Sequence, residues 1–183
     1  MNNRINGRIY WSRCSGSLGS IHLAATEAGL VFAGSLNGAY QELEAWIEGR
    51  FRGYTAVRDD SKLQPYTDEL EGFFQGGRRT FTLPLELPGT PFQKDVWDAL
   101  RCIPYGETRS YTDIASLLGK PSSVRAVAAA IGANPALIFV PCHRVIGKNG
   151  SLTGYRGGLR MKEELIRHEL TQTALERSLE RHV

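Results

Sequence analysis

Lys120-Pro121-Ser122-Ser123-Val124-Arg125-Ala126-Val127-Ala128-Ala129-Ala130-Ile131 is the stretch that decides how the second half of this chain folds. Val124, Val127, Ala128 and Ile131 recur at i, i+3, i+4 and i+7, one buried stripe of a helix capped by Ser122 or Ser123. The other side sets Arg125 among the methyl groups of Ala126 and Ala129. A solvated helix face would carry Lys, Glu or Gln there, so this face is bare enough for a large partner to approach its backbone. Upstream, Tyr111–Leu118 reads as a short helix with Ile114, Leu117 and Leu118 inward and Gly119 ending it. Lys120-Pro121-Ser122 makes the turn between them. Two helices joined in this way, the second basic and bare, resemble a helix-turn-helix. Short helical hairpins also occur in proteins that never touch DNA.

Further upstream, Thr90-Pro91-Phe92-Gln93 sets a capping Thr, a proline at the first helical position and a Gln that reaches back to the cap. Phe92, Val96, Leu100 and Ile103 then follow one face until Pro104 and Gly106 end the pattern, with Cys102 beside that stripe and expected to pack. The first half has a different texture. Alternating apolar residues predict strands at Arg8–Arg13, Leu18–Ala24 and Leu30–Leu36. Helical patterns follow near Gly38–Phe51 and Tyr66–Gln75, and Pro84 makes Phe81–Leu87 an edge strand or an extended linker. Pro88-Gly89 is the boundary. The fold class is therefore α+β, an N-terminal α/β domain (1–89) with a small antiparallel sheet and a mostly helical C-terminal domain (90–170). Residues 171–183 form a polar tail or helix extension with no assigned role.

Length and composition narrow the function classes. The 183 residues, 42% of them hydrophobic, can bury a core without metal or disulfide support. Three cysteines, Cys14, Cys102 and Cys142, imply no disulfide framework and fit a reducing, cytoplasmic compartment, or a nuclear one in a eukaryote. No apolar run is long enough for a membrane span, and Met1–Trp11 lacks the apolar core of a signal peptide. Charge is uneven. Residues 1–90 carry 9 basic and 10 acidic side chains, whereas residues 101–162 carry nine basic ones against only Glu107 and Asp113. Such a field attracts polyanions, although a solvated basic surface would give the same count.

The chemistry concentrates after Asn134-Pro135. Leu137-Ile138-Phe139-Val140 is a continuous apolar run of buried-strand type, leading into Pro141-Cys142-His143-Arg144-Val145-Ile146. Burial of the run puts the thiol on the floor of a pocket, and cationic neighbours would depress its pKa. In an extended segment Cys142 and His143 point to opposite sides, so proton transfer between them needs a bridging water or a local kink. A buried structural cysteine is the simpler reading of a lone Cys-His pair.

Ile138–Ile146 resembles the active-site signature of the O6-alkylguanine-DNA alkyltransferases. The resemblance extends over Pro91–Glu169 through Tyr105-Gly106-Glu107-Thr108, Ser110-Tyr111, Arg125-Ala126-Val127, Ala133-Asn134-Pro135, Gly154-Tyr155-Arg156-Gly157-Gly158 and Lys162-Glu163, in the family's order. The first ninety residues match in general pattern only, and the family would make that domain ribonuclease-H-like.

The resemblance implies a repair protein. It would flip O6-alkylguanine, with O4-alkylthymine as a second candidate, out of duplex DNA and move the alkyl group irreversibly onto Cys142, in a single turnover. His143 would take the thiol proton through a water, with Glu169 orienting its ring, and Tyr111 would donate to the ring nitrogen N3 of the leaving base. The backbone N–H of Arg156 would face O6, and the carbonyls of Cys142 and Val145 the exocyclic amine. Tyr155 and Gly157 would complete the pocket. Arg125 would fill the gap left by the flipped nucleotide, the small Ala126 and Ala129 would enter the minor groove beside it, Ser110 would contact DNA, and Asn134 would tie the helix-turn-helix to the active-site segment. The partner is then double-stranded DNA read with little sequence preference, by a monomer able to bind cooperatively and without contact to a membrane. No cofactor is implied. Some members hold a zinc in the N-terminal domain; here Cys14 and His22 are too few to do so, and no metal is expected.

Three other classes stay open at this point. A lesion-binding protein of the alkyltransferase-like type would lack the cysteine that stands at 142. A DNA-binding regulator would need the helix-turn-helix without a thiol pocket, and a cysteine hydrolase would need an oriented dyad and turnover.

Overall fold

A computed structural model describes residues 7–180, which divide into two compact units meeting between Pro88 and Gly89. Both ends of the chain, 1–6 and 181–183, lie outside the described residues, including the start of the Met1–Trp11 segment and the end of the 171–183 segment.

The first unit is a four-stranded sheet in the order β3-β2-β1-β4, built from β1 (Arg8–Gly16), β2 (Gly19–Ala25), β3 (Leu30–Ala33) and β4 (Thr55–Arg58). β1, β2 and β3 pair antiparallel as the alternation predicts. β4 does not follow that pattern. It pairs parallel with β1, Arg8 opposite Thr55, so the sheet is mixed rather than wholly antiparallel. Three of its four side chains are exposed, and a strand without an apolar face leaves no alternation to read.

Two helices cover the sheet. α1 (Tyr40–Arg50) buries Leu43 and Ile47 against Ile9, Ala24, Val31 and Phe32, with Trp11, Tyr40, Trp46 and Phe51 around the edge of that core. α2 (Asp60–Phe74) packs on β1 from the other face, where Ser12 Oγ donates to Asp60 Oδ1 at 2.7 Å. It begins well before Tyr66 because Asp59 caps it, accepting from Lys62 N at 2.9 Å, and Pro65 is tolerated inside the helix. Phe81–Leu87 is extended along the β3 edge. Leu30 N donates to Pro84 O and Glu86 N to Leu30 O, at 3.0 and 2.8 Å.

The second unit is mostly helical. α3 (Pro91–Arg101) starts with the expected reciprocal capping box between Thr90 and Gln93, and it buries Val96, Trp97, Ala99 and Leu100. Cys102, expected to pack, is instead exposed at the end of α3, with Sγ 3.5 Å from Asp98 O. α4 (Tyr111–Leu117) and α5 (Val124–Gly132) form the helical hairpin, with a 3-10 turn at Pro121–Ser123 and Gly119 at a φ of +67° between them. Ile114 and Ala115 face inward, but Leu117 is 65% exposed, because a helix of only seven residues points its last turn away from the core. α5 buries Val127, Ala130 and Ile131, and the Trp97 indole N–H donates to Ala130 O at 2.9 Å.

A two-stranded parallel pairing of β5 (Arg109–Ser110) with β6 (Val145–Ile146) sets the start of α4 beside the segment that carries Cys142. α6 (Leu159–Glu180) closes the unit. No helix among the described residues is long and apolar enough to cross a membrane.

Candidate active site

The path from α5 to the thiol is a buried turn and not the strand that the apolar run suggested. Residues 136–140 are all buried, but Val140 N donates to Ala136 O at 2.9 Å and folds the chain back. Ile138 takes a φ of +73°, a conformation that costs a β-branched residue roughly 1–3 kcal/mol. Asn134 holds this turn closed. Its side-chain oxygen accepts from Ala136 N at 2.9 Å, while Nδ2 donates to Val140 O and to Cys142 Sγ, both at 3.0 Å. The amide is thus placed on the sulfur by the turn that it stabilises.

Cys142–Arg144 is a 3-10 turn, with Arg144 N donating to Pro141 O at 3.0 Å. Successive side chains on such a turn diverge by about 120°, not the opposite directions of a strand. The chain is thus kinked at Cys142 rather than extended. Cys142 is 3% exposed and His143 wholly buried.

Glu169, on α6, is the centre of the polar network behind the thiol. His143 Nε2 lies 2.7 Å from its Oε1. Arg144 donates Nε and Nη2 to the same carboxylate at 2.9–3.1 Å, and Nη1 to Ile103 O at 2.6 Å. Gly106 N adds a bond to Oε2 at 2.8 Å. Burial pushes the Glu169 carboxyl up, but its bonds to His143 and Arg144 outweigh this and hold it at about 2. It is therefore a carboxylate, which accepts a hydrogen bond from His143 Nε2–H and leaves Nδ1 as the basic nitrogen of the ring. That Nδ1 is buried and has no hydrogen-bond partner among the described residues. Burial also lowers the His143 pKa against the pull of Glu169, so the ring is neutral near pH 7.

The thiol behaves differently from the sequence-based expectation. Burial raises its pKa, although the Asn134 amide and the cations Arg156 and Lys162 pull it down. Arg144, two residues on in sequence, is paired with Glu169. The resting group is a thiol, and it needs a base.

The opposite wall of the site is the irregular segment 153–158. Thr153 O accepts from Tyr111 Oη at 3.1 Å and from Lys162 Nζ at 2.8 Å, which brings Tyr111 on α4 and Lys162 on α6 to one carbonyl. Lys162 is wholly buried. Burial lowers its pKa to about 8 against the opposing effect of Cys142. Tyr155 Oη is buried with no partner among the described residues, and burial raises its pKa well above 10. The Arg156 guanidinium donates to Asn134 O and Pro135 O at 3.0 and 3.1 Å. Gly154 and Gly158 have φ of +38° and +85°. A Cβ on Gly157 would overlap Met161 Sδ and come within 2.9 Å of Tyr155 and 3.1 Å of Leu137. Val145 is buried in β6.

Of the residues assigned to DNA binding, Asn134 sits at the thiol. Arg125, Ala126 and Ala129 are exposed together on α5, and Arg125 has no side-chain hydrogen bond or ion pair among the described residues. Ser110 caps α4, its Oγ accepting from Asp113 N at 3.1 Å. Sequence reasoning read Arg144 only as a cation beside the thiol, not as a partner of Glu169, and gave Lys162 no role. Lys162 stood in a quoted motif, but nothing in a single sequence marks a lysine as buried.

Two family models match the chain, the ribonuclease-like domain of 6-O-methylguanine DNA methyltransferase over residues 9–87 and the DNA binding domain of the same family over residues 91–171. The inducible methylated-DNA–protein-cysteine methyltransferase of Bacillus subtilis is 55% identical over 158 residues, covering 86% of this chain and 88% of that protein. A methylated-DNA–protein-cysteine methyltransferase of Methanosarcina acetivorans is 40% identical over 88% of this chain and 98% of its own length. Among solved structures, the O6-methylguanine methyltransferase of Mycobacterium tuberculosis superposes with a TM-score of 0.76 at 37% identity, over 90% of this chain and 94% of that one. The same protein in complex with DNA gives 0.74 at 36%, with the same coverage. With both of its units matched in order and the buried cysteine site in the second, this chain belongs to the 6-O-methylguanine DNA methyltransferase family.

Proposed function

We propose that this protein repairs O6-alkylguanine in duplex DNA by moving the alkyl group onto Cys142, once per molecule and without a cofactor. The observation that carries the reading is the buried Cys142 thiol beside a neutral His143 whose Nδ1 is left basic by the Nε2–Glu169 bond at 2.7 Å. The relatives' name supports the donor, methylated DNA, and the acceptor, a protein cysteine. The Mycobacterium tuberculosis complex supports DNA as the partner.

The thiol proton passes to His143 Nδ1 through a water, and the resulting imidazolium is compensated by the Glu169 carboxylate. Cys142 Sγ attacks the alkyl carbon as its bond to O6 breaks. The leaving guanine takes a proton at N3 from Tyr111 Oη, while the backbone N–H of Arg156 faces O6 and the carbonyls of Cys142 and Val145 hold the exocyclic amine. The Lys162 ammonium, shared with Tyr111 through Thr153 O, keeps positive charge near the phenol as it gives up its proton. A thioether offers water no leaving group, so the product is final.

Docking uses the bare face of α5 in the minor groove. Ala126 and Ala129 let the helix approach, Ser110 at the start of α4 contacts the backbone, Arg125 occupies the vacated stack, and Asn134 ties α5 to the thiol turn. We assign the same chemistry to O4-alkylthymine. The reading has the protein acting as a monomer in the compartment that holds the DNA, the cytoplasm of a prokaryote, with cooperative binding along the duplex.

Incubation with a duplex containing O6-methylguanine, followed by intact-mass measurement, tests this reading. Gain of one methyl per molecule supports it. A gel shift with no mass gain would reduce the protein to a lesion binder or regulator, and catalytic release of a thioester or amide product would make it a hydrolase.

A further inference from the structure

The segment 153–158 crosses the thiol site without helix or strand, so its position depends on side-chain ties at each end. At one end Thr153 O accepts from Tyr111 and Lys162. At the other, the half-buried Arg156 donates Nε to Asn134 O at 3.0 Å and Nη2 to Pro135 O at 3.1 Å. Both carbonyls belong to buried residues more than twenty positions away, and Asn134 is the residue whose amide donates to Cys142 Sγ. One guanidinium therefore joins the outer wall of the pocket to the turn that positions the sulfur. Gly154 and Gly158 at positive φ give the segment little resistance of its own to opening.

Resting on the alkyl-transfer reading, we propose that Arg156 is a positioning residue that limits how far the 153–158 wall can move from Cys142, and thereby the size of the alkyl group that the thiol accepts. With Cys142 only 3% exposed, a bulky group reaches the sulfur more readily where this wall can give way. The wall next to Leu137 and Met161 is packed too closely at Gly157 to yield without moving the whole segment. Removing the Arg156 guanidinium releases its ties to Asn134 and Pro135 and leaves the Thr153 ties in place.

The test compares the full-length wild type with Arg156→Ala and Arg156→Lys on duplexes carrying O6-methylguanine or O6-benzylguanine. Rates are read by intact mass, with the melting temperature of each variant recorded. The benzyl-to-methyl rate ratio should rise about tenfold in Arg156→Ala, the scale of a pocket that gains or loses a few carbons. Arg156→Lys, able to keep one carbonyl bond, should fall between, and it carries the test by itself if the alanine variant does not fold. An unchanged ratio overturns the inference, whether both rates hold or both fall together. Absence of transfer from either substrate by the wild type overturns the alkyl-transfer reading and this inference with it.

Discussion

Glu169 Oε1 lies 2.7 Å from His143 Nε2, and the same carboxylate takes two nitrogens of the neighbouring Arg144. One buried acid on α6 thus fixes both side chains that follow the nucleophile. Removing it leaves the Arg144 guanidinium buried without its partner. Glu169→Gln should therefore lower stability by about 3–5 kcal/mol at neutral pH, measured by urea unfolding.

The same network makes a pH prediction with a definite sign. The Glu169 carboxyl titrates at 4.5 when unperturbed and at about 2 in the folded protein. Its contribution is fully present above pH 4.5 and is lost as pH falls through about 2. The stability gap between wild type and Glu169→Gln should stay constant down to pH 4.5 and narrow below it. A gap independent of pH below 4.5 would mean that folding does not lower the Glu169 pKa.

Transfer requires neutral His143, whose pKa burial lowers below 6.5. The single-turnover rate should hold its plateau as pH falls through 6.5 and decline only at lower pH. His143→Ala should lose at least about 100-fold in rate together with this acid limb, the scale of general-base assistance. An acid limb unchanged in His143→Ala would assign the proton acceptor to another group.

Arg125 separates flipping from chemistry. Arg125→Ala should slow transfer from duplex DNA by about 100-fold, corresponding to the few kcal/mol of unstacking that it offsets. Reaction with the free alkylated base should change little. Ala126→Glu on the same exposed face should impair binding itself. Equal slowing of duplex and free-base reactions by Arg125→Ala would place Arg125 in support of the pocket.

Much of this was legible in the sequence because the relevant signals are local. The Thr90–Gln93 capping box appears where its spacing puts it; of the Val124–Val127–Ala128–Ile131 stripe, Val127 and Ile131 are buried, Val124 and Ala128 only half-buried, and Ala130 is buried beside them. The turn at 136–140 was not legible. An apolar run reports burial, whereas its reversal depends on Asn134 bonding Val140 and Cys142 across the turn. The thiol pKa was misread for a related reason. Adjacent cations in sequence suggested a lowered value, but Arg144 turns to Glu169 and burial decides the direction. Leu117 and Cys102 show the limit of helical periodicity at helix ends, where the core stops before the pattern does.

Every step above depends on Cys142 being the acceptor and reacting once. The most direct measurement is peptide mapping after reaction with excess duplex bearing isotopically labelled O6-methylguanine, alongside Cys142→Ser. One label per wild-type molecule is expected, all of it on the peptide containing Cys142, with a plateau of repaired lesion equal to the protein added and no label on Cys142→Ser despite retained DNA binding. Label on Cys14 or Cys102, labelling of Cys142→Ser, or repair exceeding the protein added would contradict it.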